Sequence, residues 1–220
     1  GTELFTYGTV PLVAFDDPDY RVVSLVEAGG TVFVVYAAYP GGDYTVLALS
    51  DSGELLGSDT FTGRSIDALA STDLNESSAV YCPDDAQFFF AHPIGTGSEE
   101  FKICRRNMLT AEIEAEVDID FTSLGRSYVG IAPRPVGNLG LRVFCAAGTG
   151  NPCEYRDYDS DFTPLTAWTT MDFGPDNELP GGRNCIVRNL TGYAVFGRDD
   201  ANDPAVFMVD HSGDFISELA

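Results

Sequence analysis

The stretch that decides the fold runs Thr31-Val32-Phe33-Val34-Val35-Tyr36-Ala37-Ala38, passes through Tyr39-Pro40-Gly41-Gly42-Asp43, and continues Tyr44-Thr45-Val46-Leu47-Ala48-Leu49. Two apolar runs rich in β-branched and aromatic residues, joined by a segment of Pro, Gly and Asp, read as two antiparallel strands and their connection. The next residues, Asp51-Ser52-Gly53, form a turn that sends the chain back along Glu54-Leu55-Leu56. A further short apolar run, Arg21 to Val26, precedes the first strand, so the unit holds about four strands.

The same unit recurs about every 51 to 55 residues. Its second copy has Ala79 to Cys82, Gln87 to Ala91 and Phe101 to Cys104, with a turn at Arg106-Asn107. The third has Tyr128 to Ile131, Leu141 to Ala146 and Glu154 to Tyr158, turning near Ser160-Asp161. The fourth has Cys185 to Val187, Tyr193 to Gly197 and Val206 to Val209, turning at His211-Ser212-Gly213. The best helix candidate, Leu109 to Val117, alternates with period two and reads as strand. A four-stranded sheet cannot bury both of its faces alone, and stacking copies around an axis solves that while leaving only short edges. The expectation is an all-β chain, 1–220 as a single domain, with repeats at about 21–67, 78–122, 127–172 and 184–220. It would be a small β-propeller of four or five four-stranded antiparallel blades. Residues 1–12 would close the ring, a place that Asp214 to Leu219 could also fill. The alternative is a β-sandwich or jelly roll of viral-coat type, since many short strands with turn signals look alike in sequence.

Asp51-Ser52-Gly53-Glu54-Leu55 resembles the hairpin between the two outer strands of many β-propeller repeat proteins, a superfamily-level likeness that spans nearly the whole chain. Copies two and three depart from it, with Asn107 and Asp161 where glycine is expected. The Trp-Asp dipeptide of WD40 repeats is absent, and a single tryptophan, Trp168, leaves no periodic Trp. The resemblance therefore implies an architecture and names no particular family.

Twelve basic against 34 acidic residues give a net charge of −22, a field that repels phosphate backbones and excludes nucleic-acid binding through them. Lys102 is the only lysine, beside 11 arginines. Such a balance suits a protein kept soluble in a halophilic or marine setting, and it also follows from a coding bias towards arginine. Apolar stretches such as Val32 to Ala38 fall far short of the roughly 18 to 20 residues that span a bilayer, so no membrane insertion is expected. The N-terminal residues carry neither a basic nor an apolar leader pattern.

Catalytic chemistry finds little purchase. There is no Gly-x-Ser-x-Gly elbow, and His92 and His211, the two imidazoles, read as turn or surface residues. Gly95-Thr96-Gly97 and Gly148-Thr149-Gly150 lie between strands and read as loops rather than phosphate cradles. Cys82, Cys104, Cys145, Cys153 and Cys185 contain no CxxC pair. They read as small apolar strand residues, with Cys145 and Cys153 placed to meet across a hairpin in an oxidising compartment. Asp157, Asp159 and Asp161 put three carboxylates at alternate positions, as the start of a calcium loop does, and form the candidate Ca2+ site. The other reading is a solvated acidic face, as for Asp84-Asp85. No catalytic or cofactor-binding residue is assigned.

The function expected is a non-enzymatic structural or interaction module on an exterior surface, such as a virion decoration, spike or tail protein or a secreted adhesion protein. Its partners would be other protein subunits of an assembly, a host surface or a glycan, and its location extracellular or on a virion. The alternatives are a glycoside hydrolase, with carboxylates from different blades meeting at the axis, and a lectin, for which Tyr39 is the best-placed aromatic.

Overall fold

The computed structural model describes residues 20–38, 43–62, 78–94, 100–120, 128–146, 153–171, 186–198 and 204–219. These form four separate four-stranded sheets, each a simple antiparallel meander in chain order. Blade 1 holds β1 (Tyr20–Ala28), β2 (Thr31–Ala38), β3 (Asp43–Ser50) and β4 (Leu55–Thr62). Blade 2 holds β5 (Ser78–Cys82), β6 (Gln87–Pro93), β7 (Glu100–Arg106) and β8 (Ile113–Asp120). Blade 3 holds β9 (Tyr128–Pro133), β10 (Leu141–Ala146), β11 (Glu154–Tyr158) and β12 (Thr169–Thr170). Blade 4 holds β13 (Ile186–Arg188), β14 (Gly192–Arg198), β15 (Pro204–Asp210) and β16 (Phe215–Leu219). The two-layer sandwich is not the arrangement found. The closing strand expected at residues 1–12 lies outside the described residues, as do Cys185, Tyr39 and both glycine-rich loops.

Strand alternation explains why the sheets stack. Phe33, Val35, Tyr44 and Val46 point from blade 1 towards blade 2 and meet Phe88 and Phe90, with the Phe33 and Phe88 rings stacked at 4.0 Å. On the other side of β6, Phe89 and Ala91 join Phe101 and Ile103 against Val129, Ile131, Leu141 and Val143 of blade 3. Phe144 and Tyr155 then turn from blade 3 to Tyr193, Val195 and Phe207 of blade 4. The inner strands β1, β5, β9 and β13 follow one another around the axis. Each blade thus contributes one apolar face to each neighbour, and burying a large apolar side chain at such an interface is worth about 1.5 to 3 kcal/mol.

The four outer hairpins share one device that takes three chemical forms. Ser50 Oγ accepts the Glu54 amide at 3.0 Å; Asn107 Oδ1 accepts those of Leu109 and Thr110 at 2.9 and 3.0 Å. Asp159 Oδ1 accepts the amides of Asp161 and Thr163, and Asp210 Oδ1 those of Ser212 and Asp214. A left-handed residue follows each cap: Gly53 (φ 83°), Ala111 (φ 63°), Phe162 (φ 64°) and Gly213 (φ 89°). Glycine is therefore replaced in blades 2 and 3 by Ala111 and Phe162, not by Asn107 and Asp161, which lie elsewhere in their turns. Phe162 takes this costly conformation while its ring packs edge-on against Phe89 at 5.8 Å. The Asn107 turn also delays β8, which begins at Ile113 although the alternation starts at Leu109.

Candidate functional site

The C-terminal ends of the four inner strands surround a cavity of about 370 Å³ on the axis. Its wall is mostly apolar. Val26 comes from β1, Ala79, Val80 and Tyr81 from β5, Pro133 from β9, and Ile186 and Val187 from β13, with Pro83 at the rim. Two charged side chains reach it, Glu27 and Arg188.

Glu27 is exposed at the end of β1, where its Oε1 accepts the Gly30 amide of the following turn at 2.9 Å. Arg188 is drawn the other way. Its Nη1 donates to Asp84 Oδ2 of blade 2 and, at 2.7 Å, to the Arg134 carbonyl of blade 3, so one guanidinium ties three blades at the mouth. That bond holds the Asp84 carboxyl below its ordinary range. Asp84 Oδ1 also accepts the Gly137 amide, and Asp85 Oδ2 accepts the Gly140 amide and the Ser160 hydroxyl. Asp84-Asp85 is thus a clamp on the long β9–β10 connection rather than a merely solvated acidic pair.

The three candidate metal carboxylates do not converge. Asp157 is buried at the interface of blades 3 and 4, where Arg142 binds it in a fork, Nε to Oδ1 at 2.7 Å and Nη2 to Oδ2 at 3.1 Å, with Arg134 Nε 3.6 Å from Oδ2. Asp159 caps its own turn, and Asp161 accepts Arg105 Nη1 of blade 2 at 2.9 Å. Alternation along β11 ends at Tyr158, so the spacing that would place all three on one strand face is broken by the turn. Among the described residues no group of three or more His, Cys, Asp or Glu side chains is placed to hold a metal ion.

Arg142 shows what the arginines do. Its guanidinium lies 3.9 Å over the Tyr155 ring, grips Asp157, and reaches the His211 carbonyl of blade 4 at 2.7 Å. Arg106, fully buried, donates to Asp59 of blade 1 and to the Ala111 carbonyl while lying 4.4 Å over Phe61. A lysine offers a point charge where these sites use a flat fork with several donors. The excess of arginine over lysine was the available signal for this bonding between blades, and sequence reasoning assigned it to solubility or coding bias alone.

His92 is the clearest departure from expectation. It is not a turn residue: β6 runs through Pro93, and alternation from Phe88 and Phe90 carries the His92 ring into the interface of blades 1 and 2. There it sits among Phe61 (4.7 Å), Tyr44 (5.5 Å) and Phe90 (5.6 Å). Nδ1 lies 3.1 Å from the Pro93 carbonyl, and Nε2 has no partner among the described residues. Burial first, then the positive charges of Arg106 and Lys102, push its pKa down to about 4. His211 is half-exposed in the blade 4 hairpin, its ring edge-on to Tyr193.

Cys82, Cys104, Cys145 and Cys153 are buried. Cys145 pairs in register with Glu154, and the Cys145 and Cys153 side chains enter opposite interfaces, which keeps them from meeting across the hairpin. Burial pushes the Cys104 thiol up to about 11.

No family model matches the chain, and no curated protein matches it. Among solved structures it is similar to the uncharacterized protein lmo1340 from Listeria monocytogenes EGD-e, at 9% identity over 90% of this chain and 53% of that one, TM-score 0.41. It is also similar to the WD40 domain of Toxoplasma gondii coronin, at 12% identity, 84% and 55% coverage and TM-score 0.38. A DUF4623 family protein from Bacteroides eggerthii DSM 20697 shows 11% identity, 88% and 44% coverage and TM-score 0.34. The chain spans about half the length of these proteins.

Proposed function

We propose that this chain is a non-enzymatic interaction module, presented on an exterior such as a virion or as a secreted adhesion protein, and that it holds a partner segment at the axial mouth. The observation that carries the reading is the lining of the cavity: apolar side chains from four inner strands, with Glu27 as the one carboxylate among the described residues. Acid and base hydrolysis of a glycoside needs two carboxyl groups about 5 to 9.5 Å apart. A concave apolar pocket with few polar groups suits binding. The field of a chain at −22 attracts a segment in which basic residues flank an apolar anchor, with Glu27 at the rim to meet one of them. The exterior setting rests on that acidity alone.

Selection from a displayed peptide library tests the reading. Enriched peptides should join basic to apolar residues, and a Val187→Arg variant, which puts a positive charge at an exposed position of the mouth, should lose them. Selection of nothing, or of peptides that bind the variant equally, refutes the site. Turnover in a panel of chromogenic glycosides that Glu27→Gln abolishes would establish the enzyme instead.

A further inference from the structure

We propose that the segment seated at the axial mouth enters by its C-terminus, with its terminal carboxylate on Arg188 and its last, apolar side chain in the cavity. The inference rests on the reading of the mouth given above. It begins with the two edges of one guanidinium. Arg188 Nη1 is taken up by Asp84 and the Arg134 carbonyl, whereas Nε and Nη2 have no partner among the described residues and are not shut away from solvent. Arg188 belongs to the cavity wall and Asp84 does not, so the carboxylate already held by Nη1 leaves the Nε and Nη2 edge available from the cavity.

The chain itself shows what that edge binds. Arg142 of blade 3 donates from Nη1 to the His211 carbonyl of blade 4, and from Nε and Nη2 to the two oxygens of Asp157 at 2.7 and 3.1 Å. Arg188 of blade 4 makes the corresponding Nη1 bond to the Arg134 carbonyl of blade 3, at 2.7 Å. Its Nε and Nη2 fork therefore suits a carboxylate held in the geometry that Arg142 displays. Which carboxylate follows from the wall it shares. Val26, Ala79, Val80, Ile186 and Val187 line the same cavity, so the group that reaches Arg188 has to bring apolar surface with it. An internal Asp or Glu ends its own side chain in the carboxylate, whereas an apolar C-terminal residue carries side chain and carboxylate on one Cα. Glu27, on β1 of the same wall, meets a basic residue further back in the segment. Basic residues there also make the segment positive as a whole, which offsets the repulsion of its terminal anion by a chain at −22.

Two libraries of random heptapeptides, one ending in free carboxylates and the other continuing into a carrier protein, test the assignment. Enrichment should come from the free-ended library, with an apolar last residue and a Lys or Arg before it. Each enriched peptide is then synthesised as the acid and as the C-terminal amide, and both are titrated by fluorescence polarisation. The acid should bind the native protein at least about 10-fold more tightly, as expected for hydrogen bonds to a charged group. In Arg188→Gln the ratio of the two affinities should fall to about one, a readout that a general weakening of the mouth leaves unmoved. Arg188→Lys, which keeps the charge for Asp84 and removes the fork, should lower the same ratio and does not depend on how the neutral variant folds. Acid and amide that bind the native protein equally, or an acid preference untouched by both Arg188 variants, overturn the terminal carboxylate while the apolar mouth stands. Enrichment from the continuing library alone does the same. Enrichment from neither library overturns the mouth and this inference together.

Discussion

Acid should loosen the interface of blades 1 and 2 through His92. In the folded chain the ring is buried among Tyr44, Phe61 and Phe90, close to Arg106, and its pKa is about 4; in the unfolded chain it takes its ordinary value of about 6.5. Because the folded pKa is the lower one, the unfolded state binds a proton that the folded state refuses. Stability is therefore full above about pH 6.5 and falls by about 1.4 kcal/mol per pH unit down to about pH 4, a total of about 3 kcal/mol. Protonating carboxylates over the same range relieves the repulsion of a −22 chain, so the raw profile mixes opposing effects. The comparison that isolates the ring is His92→Phe, which keeps an aromatic side chain at this site and removes the titration. Urea unfolding of both proteins between pH 7.5 and 4.5, followed by fluorescence, should show the native chain losing about 2 to 3 kcal/mol relative to the variant. Parallel profiles for the two would refute the burial of a neutral His92.

Arg142→Met should destabilise the chain by about 3 to 5 kcal/mol, because Asp157 would be left buried without its fork, and the loss should shrink when Asp157→Asn is added; a double-mutant cycle in urea reads both. Gly140→Ala should cost about 1 to 3 kcal/mol, since φ is 91° there and a Cβ would stand 2.2 Å from the Tyr158 carbonyl oxygen; the thermal midpoint reports it. Cys82, Cys104, Cys145 and Cys153 should resist iodoacetamide in the native protein and react once it is unfolded, as peptide mass spectrometry would show, because all four are buried.

Much of the fold was legible because each blade repeats one order of strand, turn and strand, and the boundaries of β2, β6, β10 and β14 fell within a few residues of their apolar runs. Hairpin chemistry was less so. Serine, asparagine and aspartate can all supply the capping oxygen, and Ala111 and Phe162 hold left-handed positions that no residue preference announces. His92 was misplaced because Pro93 reads as the end of a strand, whereas β6 includes it. The axial mouth was hidden for a different reason. Val26, Tyr81, Pro133 and Ile186 come together only when four inner strands share an axis, and nothing in their local sequence sets them apart. Asp157, Asp159 and Asp161 show the converse, a local pattern whose members the turn sends to three separate tasks.

Contacts between aromatic rings remote in sequence test the stacking of blades most directly. Nuclear Overhauser effects should link Phe33 to Phe88, Phe89 to Phe162 and Phe144 to Tyr193, one pair for each successive interface, with ring centres at 4.0, 5.8 and 5.4 Å. Their joint presence is the predicted result. Absence of all three, with cross-peaks joining blade 1 directly to blade 3 instead, would mean that the sheets do not follow one another around an axis.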